Sequence, residues 1–390
     1  VADHYDVAVI GGGIHGAGVA QAVACAGHSV LLLEKTALAA GSSSRSSKLI
    51  HGGLRYLEGH DYALVRESLH ERSVLLRIAP ELVRLQPFFI PIYPDTTRRP
   101  LTLRAGLTLY ALLGGIHHTS RFRSVPRGEW DTLDGLDTRR LQVVFQYFDA
   151  QTNDVELTRA VMQSAIRLGA TLACPAEFTA ARIDAGHCNI QYRENGIEKH
   201  CSARAIVNAG GPWATRIDRR ISPAPPHNPV ELVQGAHLVV PGTLARGCYY
   251  MEAPQDGRAV FLLRWGEHAL LGTTENLYTG DPAAVAITPG EESYLLEVLA
   301  HYFPQRPATV IERFAGLRVL PASSNAAFGR SRETMLMVND RKHPQLVSIY
   351  GGKLTGYRAA AQKVMRILKR TLPARTAVGH TADIRLVPGN

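Results

Sequence analysis

The chain of 390 residues carries 43 Lys and Arg against 34 Asp and Glu, a formal charge of +9 and a pI near 9.4, with 45% hydrophobic and 20% charged residues. This length supports two sizeable cores, and the composition excludes a disordered or collagen-like chain. The positive balance suits an anionic substrate, an anionic membrane surface or nucleic acid, but no basic stripe interleaved with aromatics is present, which ranks nucleic acid last. The five cysteines, Cys25, Cys174, Cys188, Cys201 and Cys248, include no CxxC pair, so neither a metal site nor a disulfide framework is expected, and a reducing compartment is the default. The longest apolar stretch, residues 107–116, is too short to span a bilayer, and the early start of the first strand leaves no room for a signal peptide.

Residues 6–10 read as a short buried strand, Gly11-Gly-Gly-Ile-His-Gly16 as a tight turn, and residues 17–26 as a helix stopped by Gly27. Residues 30–33 make a second strand that ends in Glu34. In this βαβ unit Gly11 permits the sharp exit from the strand, Gly13 lets the backbone approach a pyrophosphate, and Gly16 lets helix and strand pack closely. The helix N-terminus offers N–H groups and a partial positive charge to the phosphates. Glu34 is placed to accept hydrogen bonds from an adenosine ribose and repels a 2′-phosphate, so the expected ligand is FAD or NAD(H) and not NADP(H).

Residues 41–57 follow with six small residues, including Ser42, Ser43, Ser46 and Ser47, before Lys48, enough backbone N–H and hydroxyl groups to line a pyrophosphate or a flavin ring. Leu49, Ile50, Leu54 and Leu57 return this segment to the core, and His51, Gly52, Gly53, Arg55 and Tyr56 lie between them. Large polar groups in a buried segment need partners, which favours a ligand-binding reading. Residues 61–79 pattern as an amphipathic helix stopped by Pro80. Residues 85–125 change character, with four prolines, Arg98, Arg99 and Arg104, and an apolar run over 107–115. Two readings of that run stay open: a basic, apolar face resting on anionic lipid, or a helix whose Leu107, Leu109, Leu112 and Leu113 are ordinary core.

Residues 154–168, opened by an N-capping residue type at Asp154 and closed by Gly169, form a helix that leads into a strand over 170–173. Residues 188–193 alternate as a strand. Residues 203–207 form a buried strand running into Asn208-Ala-Gly-Gly-Pro212, whose backbone around Gly211 can press against a cofactor. After a linker at 223–229, residues 236–240, 259–264 and 269–271 read as antiparallel strands. Arg318 ends an apolar run, Arg330 and Arg332 flank a small-residue segment, and Lys353 stands between Gly351-Gly352 and an amphipathic helix over 355–372.

The turn Gly11-Gly-Gly-Ile-His-Gly-Ala-Gly18 followed by Ser46-Ser-Lys-Leu-Ile-His-Gly-Gly-Leu-Arg-Tyr-Leu57 resembles FAD-dependent glycerol-3-phosphate dehydrogenases, within the glycine-oxidase and D-amino-acid-oxidase-like flavoproteins. The resemblance continues through Asn208-Ala-Gly-Gly-Pro-Trp213, Gly272-Thr-Thr-Glu275, Gly316-Leu-Arg318 and Gly351-Gly-Lys-Leu-Thr355. It implies an α/β fold in which a Rossmann-like FAD-binding domain (1–80, 146–225 and 312–390) is interleaved with an antiparallel-sheet substrate or cap domain (81–145 and 226–311). It also implies a helical domain beyond Val387-Pro388-Gly389, where this sequence does not continue.

The resemblance implies FAD held by Gly11, Gly13, Gly16, Glu34, Ser42, Ser43, Ser46, Ser47, Lys48, Gly52, Gly53, Gly211, Gly352, Lys353, Leu354 and Thr355. The implied reaction is oxidation of sn-glycerol 3-phosphate to dihydroxyacetone phosphate, with hydride passing from C2 to flavin N5 and the electrons to a quinone. His51, a residue type whose unperturbed pKa suits a base near neutral pH, is the expected base, with Arg318 or Lys353 polarising the hydroxyl. Lys353 would also place positive charge by the flavin. Arg55, Tyr56, Thr274 and Arg332 are expected to bind substrate, since guanidinium forks suit a phosphate dianion. Rival readings are a flavin oxidase of an amino acid or 2-hydroxy acid, a glycerol-3-phosphate oxidase using oxygen, and a non-catalytic or nicotinamide-binding Rossmann protein. The expected location is cytoplasmic, against the inner face of the membrane, with a second copy of the chain as a further partner.

Overall fold

The structure, a computed structural model, describes residues 3–115, 118–226, 229–322 and 333–389. Asp3–Ile10, Val30–Leu33 and Ile197–Asn208 run parallel at the centre of the first sheet, with Val7 opposite Val30 on one side and Ala205 on the other. Val7, Ala8, Val9 and Val30 to Leu33 are all buried, as expected of strands covered on both faces. The helix Ile14–Cys25 is built of Ala, Gly and Val nearly all round because it is enclosed, packing against Asp154–Arg167 and Tyr357–Leu368. Thr171–Ala173 and Leu346–Tyr350 add further parallel strands, and the hairpin of Ala176–Asp184 and His187–Glu194 extends the sheet in antiparallel fashion. Among the described residues this sheet has nine strands.

A second sheet, of ten strands among the described residues, is almost wholly antiparallel. Val83–Ile92 pairs with Val143–Thr152, and the long strand Val230–Pro241 pairs with His268–Gly272, Asn276–Tyr278 and Glu312–Pro321. Two sheets with helices on the first give the α/β architecture of a Rossmann-like domain carrying a cap. Leu49–Ile50, Val143–Thr152 and Glu312–Pro321 pair in the second sheet, and Val143–Thr152 leads directly into the helix Asp154–Arg167 of the first layer. Side chains from both layers therefore meet along these three segments.

Buried ion pairs fix that seam. Lys48 Nζ lies 2.6 Å from Asp154 Oδ1, Arg72 Nη1 2.6 Å from Asp149 Oδ1, and Arg358 Nε donates to Glu71 Oε2 at 2.9 Å. A buried pair adds little net stability, but removing one partner strands the other charge at a cost of about 3–5 kcal/mol, so such pairs hold a geometry firmly. Asp154 is spent in this way, and the helix Asp154–Arg167 is capped instead by Asn153, whose side chain accepts from the amides of Val155 and Glu156.

The run after Pro100 is a helix, Pro100–Leu113, and it divides the two readings left open by the sequence. Leu103, Leu107 and Tyr110 face inward and are buried, whereas Leu101 is 82% exposed and Leu112 55%. Arg98 is held by Glu58 and Glu252 through bonds of 2.6 and 2.8 Å and is not a free surface charge. The apolar period is that of a helix packed on a core, so Leu103 and Leu107 are withdrawn from any lipid-facing set.

Candidate active site

The glycine turn leaves the first strand with Gly11 at φ +108°, and a Cβ at Gly16 would come within 1.9 Å of the Gly11 carbonyl oxygen. No side chain other than hydrogen fits there, so turn and helix start are in direct backbone contact. Gly13 is the N-cap and makes no side-chain capping bond, while the Ile14 amide donates to Ser43 Oγ at 2.9 Å. Glu34 stands at the tip of the second strand, its Oε2 accepting from the Gly12 amide at 2.7 Å and its Oε1 from the Thr36 amide at 2.8 Å. His15, in the first helical turn, lies against Gly352, and burial pushes its imidazole down to about 4, leaving it neutral. Its Nδ1 is buried without a hydrogen-bond partner among the described residues, which costs free energy unless a polar group is supplied. An uncapped helix start, a hydroxyl, a carboxylate at the strand end and an unsatisfied ring nitrogen fit a pyrophosphate-containing dinucleotide.

The second part of the site is a cavity of about 70 Å³ between the two layers. The amide of His51 donates to Thr355 Oγ1 at 3.1 Å, and that of Gly52 to Tyr110 Oη at 2.9 Å and Asp149 Oδ1 at 3.2 Å. Gly53 adopts the left-handed conformation, φ 79° and ψ 60°. This pinned turn presents His51, Arg55 and Tyr56 to the cavity, while Phe88, Tyr250, Phe261 and Arg318 line it from the second sheet and Thr273 and Glu275 from the connection between two of its strands. The His51 and Tyr56 rings stack at 6.3 Å and 28°, and the Lys353 ammonium lies 3.8 Å from the Tyr56 ring centroid.

Glu275 Oε1 sits between two guanidinium groups, 2.9 Å from Arg318 Nη1 and 3.5 Å from Arg55 Nη2, and Arg318 Nη2 donates to Thr273 Oγ1 at 3.2 Å. Burial, and then the charge of Arg55, push the Arg318 guanidinium down to about 10, so it is still charged at neutral pH. Two guanidinium groups meet here around one carboxylate, with the Lys353 ammonium over the neighbouring Tyr56 ring. The arrangement can hold an anion with forked donors and keep an imidazole beside it.

A family model described as FAD dependent oxidoreductase (DAO) matches residues 6–358. The chain belongs to this family. It is 37% identical over 372 residues to a glycerol-3-phosphate dehydrogenase of Pseudomonas tolaasii, covering 94% of this chain and 71% of that protein. It is 35% identical over 377 residues to a D-erythritol 1-phosphate dehydrogenase of Brucella abortus, covering 94% and 74%. The glycerol-3-phosphate dehydrogenase of Bacillus halodurans, solved with FAD, superposes with a TM-score of 0.75 at 26% identity, covering 98% of this chain and 68% of that one. The cofactor of this DAO-family oxidoreductase is FAD, one of the two ligands that the βαβ unit with Glu34 leads one to expect.

The DAO-family site uses the expected residues unevenly. Gly11, Gly13, Gly16, Glu34 and Ser43 meet at the glycine turn, with Gly352 against His15. Ser42 Oγ donates to the Leu317 carbonyl at 2.7 Å, and Ser47 lines the cavity with its Oγ 2.9 Å from His237 Nε2. Gly211 lies in the turn after Ile197–Asn208, and Leu354 packs on the first core. Lys48 and Ser46 both bind the buried carboxylate of Asp154, an attraction that no spacing along the chain reveals. The Thr274 hydroxyl donates to Glu291 Oε1 at 2.7 Å and accepts from the Ala236 amide at 2.9 Å. Its neighbours Thr273 and Glu275 face the cavity instead. Arg332 lies outside the described residues. Asp149, Tyr110 and His15 were not singled out from the sequence. Of these only His15 carried a local signal, as the polar residue inside the glycine turn.

Proposed function

We propose that this family member oxidises sn-glycerol 3-phosphate to dihydroxyacetone phosphate. The observation that carries the reading is the meeting of Arg55 and Arg318 at the cavity that also presents His51, with the Lys353 ammonium over the Tyr56 ring that lines it. One arginine suffices for the carboxylate of an amino acid or 2-hydroxy acid, whereas a phosphate dianion calls for a set of cations with forked donors. FAD, when bound, accepts the hydride from C2. His51 takes the proton of the 2-hydroxyl, and its backbone, pinned by Thr355, holds the ring in place. Arg55 and Arg318 hold the phosphate, Lys353 adds positive charge over the Tyr56 ring, and Phe88, Tyr250 and Phe261 exclude water, which strengthens these interactions. Mixing the purified holoprotein anaerobically with glycerol 3-phosphate should bleach the flavin absorbance within the dead time or in seconds. D-erythritol 1-phosphate serves as the longer polyol phosphate for comparison, and an unbleached flavin with glycerol 3-phosphate would sink the reading.

The electrons are proposed to pass to a quinone at the inner face of the cytoplasmic membrane. Support comes from the exposed side of the helix Pro100–Leu113 and its approach, where Leu101, Arg99, Arg104 and Leu112 lie together outside the core. No helix among the described residues is long and apolar enough to cross a membrane. Each Lys or Arg close to an anionic leaflet contributes roughly 1 kcal/mol, which makes such an attachment weak and salt-sensitive. Sedimentation with anionic vesicles should therefore fall sharply at high salt and in a variant with Leu101, Arg99 and Arg104 replaced by Ser, and turnover should be faster with a quinone analogue than with oxygen. Salt-independent binding, or peroxide formed in step with substrate consumption, would point to an oxygen-using enzyme.

A further inference from the structure

Two carboxylates line the cavity, and they are used differently. Asp149 is spent on Arg72, Tyr110 and the Gly52 amide. Glu275 is presented to the ligand space by a backbone held on both sides: Thr274 and Asn276 bond to the same oxygen of Glu291 at 2.7 and 2.9 Å, and Arg258 Nη1 donates to the Glu275 carbonyl at 2.9 Å. Its side chain is only 4% exposed. A carboxylate so buried must be supplied with donors; Arg318 donates to it at 2.9 Å, and Arg55 stands in ion-pair range at 3.5 Å.

This arrangement sets a condition on any anion that enters. A phosphate draws on the same two guanidinium groups, so part of the donation to Glu275 is lost while a second negative charge arrives beside it. A bare anion brings only further acceptors to the side of this carboxylate. A ligand that brings a hydroxyl as well restores a donor to Glu275 while its phosphate occupies the arginines. We propose that Glu275 is the specificity residue of this cavity, accepting a hydrogen bond from the substrate hydroxyl remote from the phosphate, the C1 hydroxyl of sn-glycerol 3-phosphate. The cavity thereby selects hydroxylated phosphomonoesters and discriminates against bare anions. This inference rests on the polyol-phosphate reading above.

The test compares sn-glycerol 3-phosphate with the propane-1,2-diol phosphate of matching C2 configuration, in which the C1 hydroxyl is replaced by hydrogen. It also measures inhibition by inorganic phosphate, in the wild-type holoenzyme and in Glu275→Gln. Sites built to bond a hydroxyl reject analogues lacking it strongly, so the wild-type kcat/KM ratio should be at least about 100. In Glu275→Gln, which keeps the shape and loses the charge, the ratio should fall about tenfold and inorganic phosphate should inhibit about tenfold more tightly. A wild-type ratio below about three overturns the inference by itself, and decides the matter if the variant fails to retain FAD. Weaker phosphate inhibition in the variant also overturns it, since Glu275 would then only be holding the arginines in place. Wild-type enzyme that oxidises neither compound would instead remove the polyol-phosphate reading on which the inference stands.

Discussion

His51→Ala is expected to slow reduction of the bound flavin by about 10²–10⁴-fold, the range by which a positioned general base accelerates proton transfer. His51 faces the cavity beside Arg55 and Tyr56, and its backbone, not its ring, is the part bonded to Thr355. Removing the imidazole therefore leaves the turn anchored, and with the phosphate still held by the arginines, substrate affinity should change little. Anaerobic stopped-flow at several substrate concentrations separates the two quantities. The wild-type rate should rise with pH as the base loses its proton, and the variant should lose that dependence. An unaltered rate with the same pH profile would take His51 out of the base role and leave Lys353, over the Tyr56 ring, as the group to test next.

Arg318→Ala is expected to lower kcat/KM by roughly 30- to several-thousand-fold, corresponding to about 2–5 kcal/mol for truncating one partner of a buried, charge-paired contact. The loss should appear mainly in KM, because the guanidinium is assigned to holding the phosphate. Part of it reflects Glu275, which would keep Arg55 as its cationic neighbour and face the incoming dianion less well compensated. Arg318→Lys should recover little, since an ammonium restores the charge without the fork that reaches Glu275 and Thr273 together. Full rescue by Lys, or an unchanged KM in the Ala variant, would move the phosphate away from Arg318.

Much of the fold was legible in the sequence because its signals are local. A strand buried on both faces, a glycine turn and a helix of small residues declare themselves within about thirty residues, and the acid at the end of the second strand follows from the same unit. The ends of elements were less legible. The helix of Asp154–Arg167 is capped by Asn153 because Asp154 is drawn to Lys48, more than a hundred residues earlier in the chain. The strands 143–152 and 312–321 belong to the cap sheet although they adjoin segments of the first layer, since pairing partners in a sheet are chosen across the chain.

By itself the sequence determined the dinucleotide-binding unit and the set of chemically able side chains in residues 46–57, because turn geometry, period and residue type act over short distances. It could not assign those side chains to tasks. Lys48, Arg55, His51 and Thr274 all read as polar groups in apolar surroundings, and each needed a partner. Only the tertiary structure decided that Lys48 is neutralised by Asp154, that Thr274 is tied to Glu291, and that Glu275 stands between Arg55 and Arg318 at the cavity wall. The physical reason is that a buried charge takes its meaning from whichever counter-charge the packed chain brings within a few ångströms, and that neighbour comes from another element of the fold.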